Sequence, residues 1–365
     1  MSACDRCLRR AELIGLLAPR IADGVRKPAD RTRLLLALPE RDLIRAVAPS
    51  SLDALMTQLR GFDATAFRRR MAEAAIEAHC RHDDAYPAQL AELDDAPNPL
   101  FIRGEGQALA ALSTTPAVAI VGGRRASTYA LEVAHELGRG LAVAGVPVVS
   151  GLALGVDAAA HRGALAGNGC AIAVLASGAD VPYPLRHRRL YAQIIERGAV
   201  LSEMPPGAPV RRWAFPARNR IMAALAQLVV VVEAAENSGT LITATFAHEI
   251  GREVGAVPGR VNARSAAGSN RLLADGAAVI LSVEDIVDRI FYAGARPAPP
   301  PARIELDPTT TAVLDVVEAG ESPLEAASLG AREVRAALGR LEVLGLVRRD
   351  GLGGYERTGM RCERS

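Results

Sequence analysis

The chain has 365 residues, half of them apolar, with a formal net charge of +2 and only 4% aromatic residues. That length exceeds one average domain, the apolar share supports a sizeable core, and the near-neutral balance gives no bulk attraction to a polyanion. Five scattered cysteines exclude a disulfide framework, and neither an N-terminal apolar h-region nor a membrane-length apolar run occurs, so a cytoplasmic protein with no membrane span is expected.

Residues 1–110 read as helical. Leu34, Leu35, Leu38, Leu43, Ile44 and Val47 recur at helical spacing, as do Leu52, Leu55 and Leu59, with Pro39 and Pro49 as breaks. The Pro-rich segment Tyr86–Pro99 predicts irregular chain. From Ala117 short apolar runs alternate with helical patterns. Strands are expected at Ala117–Val121, Val146–Val149, Ala171–Ala176, Val200–Ser202, Leu228–Glu233, Val254–Val257 and Val279–Leu281. Ser127 caps a helix that ends at Gly145, and a helix over Asp157–Ala166 stops at Gly167. Continuous apolar strands between helices predict an α/β fold: an extended Rossmann-like parallel sheet with helices on both faces. Beyond a stiff Pro-rich stretch, Val313–Val317 and Ala331–Leu344 read as helices, and Leu346–Arg349 with Tyr355–Arg357 as a hairpin around Asp350–Gly354. The expected organisation is a helical domain over 1–85, a Rossmann-like domain over 86–293, a linker over 294–303 and a winged-helix-like domain over 304–360.

In such folds the ligand sits beyond the carboxyl ends of the strands. Three loops there are rich in small residues and open helices: Gly122-Gly123-Arg124-Arg125, Ser150-Gly151 through Asp157, and Glu233 through Ser238-Gly239-Thr240. Glycines let a ligand approach the backbone, and helix N-termini offer N–H groups to anions. The dinucleotide fingerprint is missing, as is a Walker A loop; Lys27 is the only lysine and lies far from these loops. No cofactor is expected.

One segment, Arg211-Arg212-Trp213-Ala214-Phe215-Pro216-Ala217-Arg218-Asn219-Arg220, combines four arginines with the only tryptophan. Arginines neutralise phosphates and aromatic rings stack on bases, so the segment suits single-stranded nucleic acid. The alternative is that Trp213 and Phe215 fill the core while the arginines face water. Pro216 is expected to end the loop, with a short helix over Arg218–Ala226. Asp157 and His161 lie one turn apart on a helix; capping and packing explain them better than acid–base work, so no catalytic residue is assigned. Cys4-Asp5-Arg6-Cys7 is a C-x-x-C pair without a second compact pair. His79, Cys80 and His82 are its nearest complement for zinc, free thiols are the alternative, and no metal ligand is assigned.

The stretch Val118–Val283 resembles the DNA-processing protein A (DprA/Smf) family of bacterial natural transformation. The resemblance rests on Val121-Gly-Gly-Arg124-Arg-Ala-Ser127, Ser150-Gly-Leu-Ala-Leu-Gly-Val-Asp157 with Ala160-His161, Tyr183-Pro184, Ser202-Glu203, and Phe215-Pro-Ala-Arg218-Asn219-Arg220. It continues through Glu233 with Ser238-Gly239-Thr-Leu-Ile-Thr-Ala244, Gly251-Arg252-Glu-Val254, Val257-Pro-Gly259, and Gly268-Ser-Asn270 with Gly276-Ala277. It implies a non-enzymatic protein that binds and protects single-stranded DNA and loads the RecA recombinase onto it, and that dimerises through this domain. The implied DNA-binding residues are Gly122, Gly123, Arg124, Ser150, Gly151, Phe215, Arg218, Asn219, Arg220, Ser238 and Gly239. Gly123 stands where the family usually has serine, and His187 where asparagine is common. A nucleotide-processing hydrolase of the lysine-decarboxylase-like group is the alternative on this fold. Its Pro-Gly-Gly-x-Gly-Thr loop is replaced here by Glu236-Asn-Ser-Gly-Thr240.

Overall fold

In a computed structural model the described residues are 3–24, 28–104, 107–291, 306–318, 323, 329–344, 346–349 and 355–357. They fall into two compact units, residues 1–297 and 298–365. The expected linker over 294–303 and the turn Asp350–Gly354 lie outside the described residues.

The first unit is built on nine strands: β1 (Glu77–His79), β2 (Leu100–Gly104), β3 (Ala117–Val121), β4 (Val148–Ser150), β5 (Ala171–Val174), β6 (Ala199–Ser202), β7 (Ala226–Val231), β8 (Glu253–Ala256) and β9 (Ala278–Val279). Their order in the sheet is β1-β2-β6-β5-β4-β3-β7-β8-β9. From β6 to β9 every neighbouring pair is parallel, while β1–β2 and β2–β6 are antiparallel. Going outward from β3, the chain adds β4, β5 and β6 on one side, then returns to add β7, β8 and β9 on the other. The strand order therefore reverses between β3 and β7, the place where α/β sheets open a crevice.

Side chains alternate across each strand, and both faces are covered. Val118, Ile120, Val148, Ala171, Ala173 and Val200 share one core with Ala134, Leu137 and Leu141 of the helix Thr128–Val143 and Leu190 and Ile194 of the helix Arg188–Arg197. Ala119, Val121, Val149, Ile172, Val174 and Leu201 share the other with Ile221 and Leu225 of the helix Ala214–Leu225 and Phe246 of the helix Thr240–Glu249. Burying a Val or Ile side chain fully stabilises by roughly 1.5–3 kcal/mol, so these unbroken apolar runs anchor the sheet.

Two expectations change. Residues 1–110 are not helical throughout: β1 and β2 extend the sheet at its β6 edge, and the Tyr86–Pro99 segment includes a short helix, Ala88–Ala91. Strands of three and five residues carry too little alternation to stand out from helical spacing. The 85/86 boundary falls between β1 and β2 of one sheet, within a single compact unit. The N-terminal helix Asp5–Gly24 places Leu8 and Ala11 in the same core as Val118 and Ile120.

The second unit has helices Pro308–Glu318 and Ala331–Val343 and an antiparallel ribbon of β10 (Val347–Arg349) and β11 (Tyr355–Arg357). Val313, Leu314 and Val317 pack on Val334, Leu338, Leu341 and Val347 in a core of their own. Among the described residues of the first unit and this one, no helix is long and apolar enough to cross a membrane.

Candidate nucleic-acid interface

The three small-residue loops converge at the crossover between β3 and β7. They bound a cleft of about 340 Å³ whose lining includes Gly122, Arg124, Ala153, Asp157, Ser238 and Gly239. The cleft's remaining wall is the helix Ala214–Leu225, which contributes Phe215, Arg218, Asn219 and Met222. These positions are spaced i, i+3, i+4, i+7, one face of a helix. Phe215 thus sits in the first helical turn, not in a loop, and Pro216 is accommodated there because first-turn N–H groups need no intrahelical partner.

The loops interlock by close backbone approach. Gly155 has φ +79° and precedes the helix Val156–Ala166; a Cβ there would lie 2.1 Å from the Gly123 carbonyl oxygen. A Cβ on Gly151 would meet the Arg218 guanidinium at 2.1 Å. Thr240 Oγ1 donates to the Gly122 carbonyl at 3.0 Å, tying the third loop to the first.

The helix N-termini are less open to an anion than the sequence suggests. Ser127 Oγ accepts from Ala130 N–H at 3.2 Å and donates to Glu233 at 2.7 Å, and the Ser127 N–H donates to the same carboxylate at 3.0 Å. Asp157 accepts from the N–H groups of Gly151 and Ala153 at 3.1 and 3.3 Å. Ser238 Oγ takes the Thr240 N–H at 3.2 Å. The protein's own side chains occupy these ends, so the positive character of the cleft comes from arginines.

Arg124 is exposed, and its guanidinium lies 4.8 Å from the centre of the half-buried Phe215 ring. Tyr183, 40% exposed, tilts against that ring at a centroid distance of 5.8 Å. Arg218 is buried, donates to the carbonyls of Gly151 (2.6 Å) and Val174, and lies 3.9 Å from Asp157. Its Nε also donates to Asn219 Oδ1 at 3.1 Å. Burial pushes the Arg218 guanidinium down to about 10; Asp157 opposes the shift and Arg124 adds to it, so it stays charged at neutral pH. Burial raises the Asp157 carboxyl against the pull of Arg218. Burial, then the nearby Arg218 charge, pushes His161 down to about 3 and leaves its ring neutral. So weak a base takes no proton near pH 7, which agrees with a packing histidine.

Three expected site residues are not open on the cleft. Ser150 is fully buried and its hydroxyl donates to the Ile120 carbonyl at 2.6 Å. Gly151 is buried behind Arg218. Arg220 is 2% exposed and points away, pairing with both oxygens of Glu203 at 2.9 and 2.8 Å and with Asp95 at 3.1 Å. Burial alone would lower its proton affinity, but Glu203 and Asp95 outweigh that and raise it. Gly123 lies beside the cleft, its N–H bonded to the Glu233 carbonyl at 2.7 Å. Trp213 belongs to the core: its Nε1 donates to the Ala18 carbonyl at 2.9 Å and its ring packs with Leu13, Leu17 and Ala217. Met222 was missed as a wall residue, and continuing the helical spacing from Phe215 would have found it; Tyr183 was missed as the partner of Phe215, a contact that only folding makes. A second groove of about 530 Å³ continues past Arg124 to the exposed Arg125 and Arg264.

The fold and this cleft define a Rossmann-like protein with a cationic and aromatic crevice at its crossover. The sequence profile of the DNA recombination-mediator protein A family matches residues 77–291, and the chain belongs to that family. It is 42% identical over 248 residues to a DNA processing protein DprA of Mycobacterium tuberculosis, a match covering 64% of this chain and 63% of that relative. The chain therefore spans somewhat less than two thirds of that relative's length. The structure of DNA processing protein A from Streptococcus pneumoniae superposes with a TM-score of 0.63 at 31% identity, covering 80% of this chain and all of that one. That of DNA processing protein A from Helicobacter pylori, which concerns that protein's single-stranded DNA binding mode, gives a TM-score of 0.52 at 30% identity, covering 58% of this chain and 93% of that one.

Proposed function

We propose that this chain binds single-stranded DNA across the cleft between β3 and β7 and hands it to the RecA recombinase, with no covalent chemistry of its own. The observation that carries this reading is the Arg124–Phe215–Tyr183 cluster at the mouth of the cleft, backed by the buried Arg218 charge. A guanidinium offers two parallel donors to a phosphate, and an exposed aromatic face takes an unpaired base of any sequence. Arg124 also borders the adjoining groove with Arg125 and Arg264, so successive phosphates have cations along one path. The exposed Gly239 leaves the backbone accessible where the strand would pass. Membership in the family supports, as parts of the same proposal, the RecA hand-off, a homodimer through the Rossmann-like unit, a cytoplasmic location and a winged-helix identity for the second unit.

Gel shifts with oligo-dT and with a duplex of equal length, each at several salt concentrations, test the binding. Single strands are expected to bind more tightly, because stacking needs unpaired bases. Equal affinity for duplex, together with an unchanged Arg124→Ala variant, would remove the cleft from consideration. RecA filament nucleation on strands coated with single-strand-binding protein, with and without the chain, tests the hand-off; no acceleration would leave a binder only.

A further inference from the structure

We propose that Cys4, Cys7, Cys80 and His82 form a structural zinc site that fastens the N-terminal helix to the edge of the sheet. The four come from two segments 73 residues apart (Cys7 to Cys80), and folding brings all their ligand atoms within 4.8 Å of one another. His82 Nδ1 lies 3.6 Å from each of the three sulfurs, and Cys4 Sγ lies 3.4 Å from Cys7 Sγ. A tetrahedral zinc with the usual bond lengths requires sulfur–nitrogen separations of about 3.6 Å and sulfur–sulfur separations of about 3.8 Å. The three equal sulfur–nitrogen distances match that requirement, and Cys3His is an established donor set for structural zinc. A Cys4–Cys7 disulfide would need the sulfurs at about 2.05 Å and would leave Cys80 and His82 unexplained.

The surroundings are built to hold the two segments together. The Ala3 N–H donates to the Ala78 carbonyl at 2.8 Å. Arg68 donates to the Ala3 carbonyl at 3.0 Å and pairs with Asp5 at 2.7 Å. Cys7 and Cys80 are buried, whereas His82 is exposed. His79, the other candidate, is used elsewhere: its Nδ1 bonds Asp83 at 2.8 Å. Four protein ligands complete a tetrahedron and leave no open position, so the site is structural and not catalytic. Its consequence reaches the cleft, because the helix it fastens, Asp5–Gly24, carries the Leu13, Leu17 and Ala18 contacts to Trp213.

The test uses the untagged full chain expressed with added zinc. Elemental analysis is expected to give about one zinc per chain. Replacement by cobalt is expected to give the strong visible d–d and sulfur-to-cobalt bands of a tetrahedral thiolate site. Because Cys80 is buried and Cys80→Ser puts folding itself at risk, His82→Ala, at an exposed position, is the second variant. It is expected to stay soluble, to lose most of its zinc, to weaken and shift the cobalt bands, and to melt several degrees lower. Cys170→Ser is expected to keep the metal. A folded, reduced chain with no stoichiometric metal and no cobalt bands would overturn the site, as would full zinc retention by His82→Ala.

Discussion

The two faces of the helix Ala214–Leu225 do different work with similar residues. On the cleft face, Phe215, Arg218, Asn219 and Met222 wall the crevice. On the opposite face, Trp213 and Ala217 enter the core beneath the N-terminal helix, and Arg220 is locked between Glu203 and Asp95. Arg218 and Arg220 are two positions apart, so they point about 200° apart on a helix. One guanidinium borders the space where a ligand would lie; the other binds the sheet's β6 end to the Tyr86–Pro99 segment. A motif that reads as one ligand-binding string is thus half site and half scaffold.

The strongest way to break that contrast is Arg220→Met. Removing one member of a buried ion pair leaves the Glu203 carboxylate uncompensated, while Asp95 keeps Arg33 at 2.7 Å, and is expected to cost about 3–5 kcal/mol of stability in urea denaturation. Whatever protein remains folded is expected to bind oligo-dT with the wild-type salt dependence. A reduced salt slope with unchanged stability would put Arg220 back among the phosphate contacts.

The fold was largely legible because its central strands are unbroken apolar runs such as Ala117–Val121 and Leu228–Val232, which only a sheet buried on both faces would use. The caps Ser127 and Gly167 were legible from residue type alone. β1 and β2 were not: their identity depends on pairing with β6, a contact from across the chain. In the candidate site, Gly122, Arg124, Phe215, Arg218, Asn219, Ser238 and Gly239, drawn from separate motifs, line one cleft. Arg220 differs because the motif was read as one binding string, although Arg218 and Arg220 share the expected helix, whose geometry turns them to opposite sides; Trp213 takes the core position that the sequence offered as the alternative. Zinc ligation stayed open in the sequence because the spacing between Cys7 and Cys80 carries no information until the sheet edge folds.

On the cleft face, Phe215→Ala is expected to weaken oligo-dT binding by about 1–3 kcal/mol through the lost stacking surface. Trp213→Phe, on the core face, is expected to leave the affinity of the folded protein unchanged. If the tryptophan variant loses affinity and the phenylalanine variant does not, the stacking roles are reversed.

Acid distinguishes the interior behind the cleft. His161 has a folded-state value of about 3, below the ordinary value of 6.5, so the unfolded chain binds the extra proton. Its neutral ring supports stability fully above about pH 6.5, and that support is lost as pH falls toward 3. At pH 5.5 the loss amounts to about 1.4 kcal/mol. Urea midpoints at pH 7.5 and 5.5 measure it, and the dependence is expected to shrink in His161→Asn. An equal pH dependence in that variant would assign the loss to other groups.

The smallest effect is the sharpest test of the cleft. Arg124→Ala removes an exposed cation, so stability is expected to change by no more than about 0.5 kcal/mol. If Arg124 contacts one phosphate, the log–log salt slope of oligo-dT binding falls by roughly 0.7, or about 1 kcal/mol in affinity for each tenfold lowering of salt. The guanidinium also rests on Phe215, so the two substitutions should not add. With Arg124 gone, the ring loses a partner worth about 0.5–1 kcal/mol at an exposed site. A double-mutant cycle on binding therefore should return a coupling of that order, whereas Arg220→Met and Arg124→Ala should combine without coupling. Additivity of Arg124→Ala with Phe215→Ala would mean that the two act on separate stretches of the bound strand, and that the cluster at the mouth of the cleft is not a single unit of recognition.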